Sequence, residues 1–215
     1  MLIRTGTPAG AVRLRRASFF ARAALAAAMT VCWAEPAAHA QDPSPAFQEK
    51  LETCFACHGP GGVSQTPEVP SLAGQPDLFI QWQLVYMRDE TRRVEPMMGV
   101  VKDMTDAEVR AFGKLFAGLP PPPTAEGPDP DPALSEAGAK LVPPRRCGSC
   151  HLDTMEGRGE MPRLAAQRED YLVKAFHDYR SNIRRGRGNA AMVSIAYTLQ
   201  DEDIRALAHY LARLR

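Results

Sequence analysis

Two short cysteine–histidine motifs carry the chemistry that is recognisable directly in this chain. Both have the pattern Cys-x-x-Cys-His and contribute two thiols and one imidazole: Cys54, Cys57 and His58 in the first, and Cys147, Cys150 and His151 in the second. The pattern is typical of covalent c-type haem attachment. Two intervening residues let one helical turn present both thiols to the adjacent vinyl groups of the ring, and the next histidine then lies under the iron as proximal ligand. The sequence therefore predicts two covalently bound haem c groups.

Two other uses of a Cys-x-x-Cys pair are weighed against haem attachment. A structural zinc site needs four ligands, which the two motifs would have to supply jointly, and this does not explain why a histidine directly follows each motif. A redox-active Cys-x-x-Cys is expected near a strand–helix–strand pattern, and the sequence indicates no strands. Haem attachment is therefore the preferred interpretation.

The first 40 residues have the organisation of a secretory signal peptide. The basic segment 13–16 precedes the apolar segment 19–31, and residues 38–40 (Ala-His-Ala) provide a small-x-small cleavage site. The apolar segment is too short for a membrane span. We therefore expect residues 1–40 to be removed together with Cys32, and the mature chain to lie in the periplasm without a membrane span.

Charge and cysteine content narrow the function classes. The chain has 26 Lys and Arg against 25 Asp and Glu; the predicted leader contains five arginines and one glutamate, so 21 and 24 remain, a formal net charge of −3. This balance gives no support for nucleic-acid binding. The cysteines outside the leader all belong to the two motifs, so none is left for a structural disulfide.

The rest of the chain is an internal repeat when the two motifs are aligned. Each motif is followed by a segment with the pattern Pro-x-Leu-Ala-x-Gln, which we call the Pro–Gln segment: Pro70–Gln75 in the first half and Pro162–Gln167 in the second. Met97 and Met192 each lie eight residues before the residue that is predicted to cap the last helix. Both halves thus share one order of motif, Pro–Gln segment, amphipathic helix, methionine and last helix.

A proline-rich stretch separates the two copies. Four consecutive prolines, Pro120–Pro123, exclude a helix interior and favour an extended spacer. We therefore predict a first domain at 41–119, a linker at 120–132 and a second domain at 133–215. Domains of this size are small for a self-sufficient apolar core, so a buried haem is expected to supply much of it.

Hydrophobic periodicity predicts helices throughout, and the expected fold class is all-α. The predicted helices cover 46–56, 75–88 and a segment opening at Thr105 in the first half, and 135–141, 167–181 and 201–214 in the second. Thr105 and Glu108 have the spacing of a capping box. The two methionines fall on the loops that precede the last helices.

With these features in place, the chain resembles the dihaem cytochrome c4 family, in which two class-I cytochrome c domains are fused in tandem. The resemblance covers residues 44–215 and rests on both haem motifs, both Pro–Gln segments and both methionines. It implies two tandem cytochrome c-type haem domains. Family members carry a glycine where the first helix crosses the last. Gly138 matches it in the second half, but Ala46 stands near that place in the first, which leaves the helix crossing of the first domain open.

The resemblance also implies the remaining site residues. The methionine before the last helix is the sixth iron ligand, Met97 for the first haem and Met192 for the second, and its thioether raises the reduction potential relative to a second imidazole. Met98 is the rival of Met97, and the matched spacing of Met97 and Met192 favours Met97. The carbonyl groups of Pro70 and Pro162 are implied to accept the hydrogen bonds of the proximal imidazoles, although simple turn prolines would look the same in the sequence.

Further basic side chains are interpreted as solvated surface unless they pair with haem propionates or an acidic partner. These are Arg145, Arg146, Arg184, Arg185 and Arg187. The other histidines after the leader, His177 and His209, are interpreted as surface or partly buried helix residues rather than ligands.

Six-coordinate iron with two protein ligands has no open site for a substrate, so the predicted activity is outer-sphere electron transfer. The resemblance implies a respiratory carrier between a quinol-oxidising complex and a terminal oxidase. The alternative is an electron-transfer subunit of a dehydrogenase complex such as flavocytochrome c sulfide dehydrogenase. An enzyme such as a dihaem peroxidase or a thiosulfate dehydrogenase needs an open or unusually ligated haem, which the methionine in each half argues against.

Overall fold

Helices form the regular structure of the chain in the computed structural model, which describes residues 44–124, 126–184 and 188–214. In chain order they are α1 (Pro45–His58), α2 (Asp77–Arg88), α3 (Glu95–Val101), α4 (Asp106–Gly118), α5 (Pro132–Leu141), α6 (Gly148–His151), α7 (Glu169–Arg180), α8 (Ala190–Tyr197) and α9 (Asp201–Arg213). The described residues add a 3₁₀ turn at Pro60–Gly62 and an isolated bridge between Arg158 and Met161. The all-α prediction is confirmed. The predicted leader lies outside the described residues, and none of the described helices has the length and apolarity to cross a bilayer.

Local sequence signals explain where the helices begin. The Ser44 side chain accepts a hydrogen bond from Phe47 N at 3.2 Å before α1. Thr105 and Glu108 form the predicted capping box at the start of α4. Asp131 accepts a hydrogen bond from Leu134 N at 2.9 Å before α5. These caps satisfy backbone donors that have no partner inside the helix.

The segments that carry the methionines differ from the prediction. The sequence predicts loops, whereas Met97 lies in α3 and Met192 in α8. Pro96 suits the first turn of α3, and α8 contains three alanines, the residue with the highest helix propensity. The loop prediction was wrong because helices this short are stabilised by packing rather than by a periodic pattern that the sequence displays.

Each half of the described chain has its own apolar core. The core of the first half consists of Leu51, Ile80, Met87, Val101, Met104, Val109, Phe112 and Phe116. The core of the second half consists of Met155, Ala165, Leu172, Phe176, Tyr179, Ala196, Leu199, Ile204, Leu207, Ala208 and Leu211. The last helix of each half supplies a complete face to its core, which is the amphipathic pattern that the sequence predicts for α4 and α9.

The crossing of the first and last helices differs between the two halves. A Cβ atom on Gly138 of α5 would lie 2.7 Å from the carbonyl carbon of Ala206 in α9, so these backbones touch. In the first half, aromatic side chains lie between α1 and α4 instead: Phe47 stacks on Phe112 with ring centroids 4.4 Å apart. The absence of a glycine near Ala46 is therefore accommodated by ring stacking rather than by close backbone contact.

The two halves pack against each other within one compact unit, Asp42–Arg215. Arg168 Nη1 donates to Ser64 O at 3.2 Å, and Glu68 N donates to Asp170 Oδ2 at 3.1 Å. The proline-rich stretch runs back over the first half, where a Cβ on Gly74 would meet Pro121 Cβ at 2.8 Å. The exact domain boundaries stay a prediction.

Candidate haem sites

The first motif lies at the C-terminal end of α1. His58 is its last residue, and Gly59, with φ of +79°, ends the helix while its N–H donates to Phe55 O at 2.9 Å. Cys54 packs against the core of the first half, Cys57 is exposed, and His58 is buried. One helical turn therefore holds two thiols and an imidazole beside an apolar core, as the motif predicts.

The second motif forms a helix of its own. Pro143 and Pro144 follow α5 and cannot continue its hydrogen-bond pattern. A new short helix, α6, therefore starts after Cys147. Cys147 packs against the core of the second half, Cys150 is exposed, and His151 is buried. The two motifs thus reach the same arrangement from different helices.

The proximal hydrogen bonds implied by the resemblance are present in both halves. His58 Nδ1 lies 2.8 Å from Pro70 O, and His151 Nδ1 lies 2.8 Å from Pro162 O. Burial lowers the pKa of both imidazoles, partly offset by these hydrogen bonds, so the neutral form is favoured. A neutral ring that donates from Nδ1 keeps the lone pair of Nε2 for a metal, which is the state that an iron ligand needs.

The structure distinguishes the two adjacent methionines of α3. Among the described side chains that pack against the core of the first half are Met97 and Cys54, but not Met98. Met192 and Cys147 stand in the same relation to the core of the second half. Met97 and Met192 thus pack against the corresponding cores of the two halves, as the motif cysteines Cys54 and Cys147 do.

A pair of arginines meets at the interface of the two halves. Arg184 is 4% exposed, and its guanidinium donates to Gln83 Oε1 at 3.1 Å and to Tyr171 OH at 3.2 Å. Arg92, which is half-buried, donates to the same Gln83 oxygen at 2.8 Å. Burial and the neighbouring charge of Arg184 lower the pKa of Arg92. Burial raises the pKa of Tyr171, but the two arginine charges outweigh it and hold the pKa below its usual value.

These two arginines correct the surface interpretation of Arg184 and add Arg92, which sequence reasoning missed. Within the described ranges neither forms an ion pair with a carboxylate, and the buried Nε of Arg184 has no hydrogen-bond partner. The repeat in the sequence could have indicated this pair, because Arg92 follows Pro70 by the same number of residues as Arg184 follows Pro162. Arg145 pairs with Asp203 at 3.0 Å, Arg146 is exposed, and Arg185 and Arg187 lie outside the described residues.

The remaining histidines have other partners. His209 is buried, with Nε2 at 3.0 Å from Asp129 Oδ1 and Nδ1 at 3.1 Å from Glu169 Oε2. Nδ1 of His177 lies 2.9 Å from a guanidinium nitrogen of Arg180. Both ring nitrogens of His209 are therefore engaged, which agrees with its interpretation as a helix residue rather than a ligand.

The residues that are present fit a haem at each motif and do not fit zinc. The motif cysteines are free thiols, and in the described part of the chain no three His, Cys, Asp or Glu side chains gather as a metal site requires. Among the described residues, the guanidiniums of Arg92 and Arg184 have no carboxylate partner, and Arg184 has an unpaired buried N–H. Such a pair suits a group that brings its own carboxylates, and haem carries two propionates.

The fold and the two sites define a tandem c-type cytochrome, and comparisons with known proteins agree. A family profile described as cytochrome c matches residues 135–215. Cytochrome c4 from Azotobacter vinelandii is 32% identical over 196 residues, which cover 82% of this chain and 91% of that protein. The thiosulfate dehydrogenase electron acceptor of Thiomonas intermedia is 30% identical over 191 residues, 84% of either chain.

Solved structures show the same relationship. The crystal structure of reduced recombinant cytochrome c4 from Pseudomonas stutzeri superposes with a TM-score of 0.71 at 28% identity and covers 81% of this chain and 99% of that one. The protein is thus a dihaem c-type cytochrome with two covalently bound haem c groups, and it transfers electrons. It belongs to the cytochrome c4 family.

Proposed function

We propose that this protein is a periplasmic electron carrier of a respiratory chain that takes up and releases one electron per haem and is not itself an enzyme. One observation carries the proposal: each half pairs a buried histidine, oriented by a proline carbonyl, with a methionine beside the same core. In this assignment His58 and Met97 would hold the first iron, and His151 and Met192 the second. An iron held by two side chains of the protein would have no open position for a substrate.

The side chains divide the remaining tasks. The haem iron supplies reversible one-electron redox chemistry when it is bound. Cys54, Cys57, Cys147 and Cys150 fix the two rings covalently, and Pro70 and Pro162 orient the proximal imidazoles. Arg92 and Arg184 would compensate the charges of the propionates, because the buried guanidinium of Arg184 is costly without an anionic partner, and none of the described carboxylates pairs with it.

The partners are proposed to be redox proteins. The leader predicted at residues 1–40 supports export to the periplasm, where a quinol-oxidising complex would be the donor and a terminal oxidase the acceptor. A second role has support from the relative in Thiomonas intermedia, whose name describes an electron acceptor of thiosulfate dehydrogenase. In that role this chain would accept electrons from a periplasmic dehydrogenase, as also expected for a subunit comparable to that of flavocytochrome c sulfide dehydrogenase.

The test is a purification of the exported protein followed by intact mass and visible spectroscopy. We expect the mass of residues 41–215 plus two haems, and a low-spin spectrum in which the far-red band of sulfur-ligated ferric iron corresponds to two methionines. A bare polypeptide, a zinc-containing protein or a high-spin haem would contradict the proposal. Reduction by a quinol-oxidising complex and by a thiosulfate dehydrogenase, measured side by side, separates the two roles.

A further inference from the structure

The Pro–Gln segments of the two halves exchange hydrogen bonds across the interface through their glutamines. Gln167 Oε1 accepts from Ser71 N–H at 2.9 Å, and its Nε2 donates to Ser71 O at 2.9 Å. Gln75 makes the same pair of bonds with Arg163, at 3.0 Å to the N–H and 2.9 Å to the carbonyl oxygen. Both glutamines are only 4% exposed. Each half therefore uses one side-chain amide to pair with the backbone of the other.

The peptide groups bound by these glutamines are the ones that hold the proximal histidines. The N–H of Ser71 and the carbonyl of Pro70 belong to one planar peptide unit, and His58 donates to that carbonyl. Likewise the N–H of Arg163 and the carbonyl of Pro162 form one unit, which accepts from His151. Each proximal histidine is thus joined through a single peptide group to a glutamine of the opposite half.

A peptide group transmits the effect of a hydrogen bond from one end to the other. When an amide oxygen accepts a hydrogen bond from the N–H of a peptide group, the delocalised C–N bond of that group becomes more polarised. Its carbonyl oxygen then becomes a stronger acceptor. A stronger bond from Nδ1–H in turn makes the imidazole a better electron donor to its metal. The effect is larger in a buried site, because water does not compete for the same groups.

We propose that Gln167 and Gln75 are positioning residues that tune the haem site of the opposite half, Gln167 acting on His58 and Gln75 on His151. The proposal rests on the ligand roles proposed above for the two histidines. Its consequence is that each haem has its native ligand field only while the two halves are docked. The two redox centres are then coupled through protein as well as through their charges.

The test uses the full-length holo-protein with Gln167→Met, which removes both hydrogen bonds to Ser71, and the one that Gln167 Oε1 accepts from Arg168 N–H, at nearly constant side-chain length. In the ferrous, diamagnetic protein labelled with ¹⁵N-histidine, NMR resolves the Nδ1–H groups of His58 and His151. We expect Nδ1–H of His58 to exchange with solvent about 1.2- to 1.7-fold faster, as a loss of about 10–30% of the net strength of its retained bond to Pro70 implies, while that of His151 keeps its rate. One of the two redox steps should move to higher potential.

Matched variants decide whether the effect follows the proposed route. Gln75→Met should give the mirror image, faster exchange at His151 alone. Gln167→Glu keeps an acceptor for Ser71 N–H and should restore most of the protection at His58. Gln48→Met, on the exposed side of α1, should change neither histidine.

Three results would overturn the inference: no change at either histidine, a change in the half that carries the variant, or an equal change at both, as separation of the halves would produce. These results are distinct from a failure of the proposed function. That failure would be visible in the unsubstituted protein as fewer than two haems or as loss of His–Met ligation.

Discussion

The choice of the proposed methionine ligand of the first haem depends on which of two neighbouring methionines packs against the core. Successive residues of a helix point about 100° apart, so Met97 and Met98 of α3 cannot both be directed at one metal. Met97 packs with Cys54 against the same apolar cluster, and Met192 does so with Cys147. In the repeat, Met98 corresponds to Val193, which has no atom able to bind iron.

Replacing Met97 by alanine is therefore expected to open the sixth position of the first haem. The far-red absorption band of ferric iron bound to sulfur should fall by about half, because Met192 still contributes its share, and the potential of the first haem should drop as the thioether is lost. The control is Met98→Ala, which should change neither property and cost only some packing. Loss of the band in the Met98 variant alone would show that the assignment is displaced by one residue.

At the scale of helices, the start of α4 concentrates several interactions on one carboxylate. Glu108 accepts from Thr105 N at 2.8 Å and from Thr105 Oγ at 2.9 Å, and it pairs with Lys50 of α1. The hydrogen bond from Lys50, followed by those from Thr105, lowers the pKa of Glu108 to about 2. The carboxylate thus joins the cap of the last helix to the first helix of the same half.

A lowered pKa gives a defined pH dependence of stability. Glu108 is protonated near the usual pKa of 4.5 in the unfolded chain and only near 2 in the folded chain. Its contribution to the free energy of unfolding is therefore complete above pH 4.5 and is lost as the pH falls to about 2. Glu108→Gln keeps an acceptor for the capping box but removes the charge paired with Lys50, so it should reduce the free energy of unfolding at pH 7 by about 0.2–1 kcal/mol, the typical range for an exposed ion pair.

Denaturant unfolding of the holo-protein between pH 7 and pH 2 measures this effect. The difference between the parent protein and Glu108→Gln should shrink steadily below pH 4.5. Glu52→Gln, an exposed position on α1, serves as the matched control and should leave the curve unchanged. A difference that persists unaltered at pH 2 would contradict the assignment to this carboxylate.

At the scale of the whole molecule, the two halves are related as equivalent copies whose interface is built from corresponding residues. Arg92 N donates to Tyr86 O at 2.8 Å and Arg184 N donates to Asp178 O at 2.9 Å, so the two arginines emerge from the same turn of each copy. Both guanidiniums reach Gln83 of the first half. Positive charge is thereby concentrated where the copies meet.

Arg92→Met should lower the reduction potential of the holo-protein. A fixed positive charge favours the ferrous state, which carries one charge less than the ferric state, so its removal favours the ferric state. About 1 kcal/mol of electrostatic stabilisation corresponds to roughly 40 mV for one electron, and we expect a shift of that order in a redox titration.

The neighbouring residue provides the control for this prediction. Arg93 is exposed and pairs with Glu90 at 2.7 Å and Glu95 at 3.4 Å, so Arg93→Met should leave the potentials nearly unchanged. Equal shifts in both variants would show that only the net charge matters. A higher reduction potential in Arg92→Met than in the parent protein would exclude the proposed role of Arg92 beside the propionates.

The sequence by itself determined the features that depend on residues close together in the chain. The spacing of Cys54, Cys57 and His58 specifies one turn of backbone, and the capping box at Thr105 is set by a separation of three residues. The repeat placed Met97 and Met192 at equivalent positions without any knowledge of the fold. The longer helices α1, α2, α4, α5, α7 and α9 followed from periodicity, because an amphipathic face needs only its own sequence to be recognised.

Only the tertiary structure decided the features that join distant residues. The helices over Met97 and Met192 are short and depend on packing, and the crossing of α1 with α4 depends on the stack of Phe47 on Phe112. The burial of Arg184 and the bonds of Gln167 and Gln75 involve partners from opposite halves. A polar side chain looks alike in a sequence whether water or another domain satisfies it, and docking of the two copies is what buries these residues and supplies their partners.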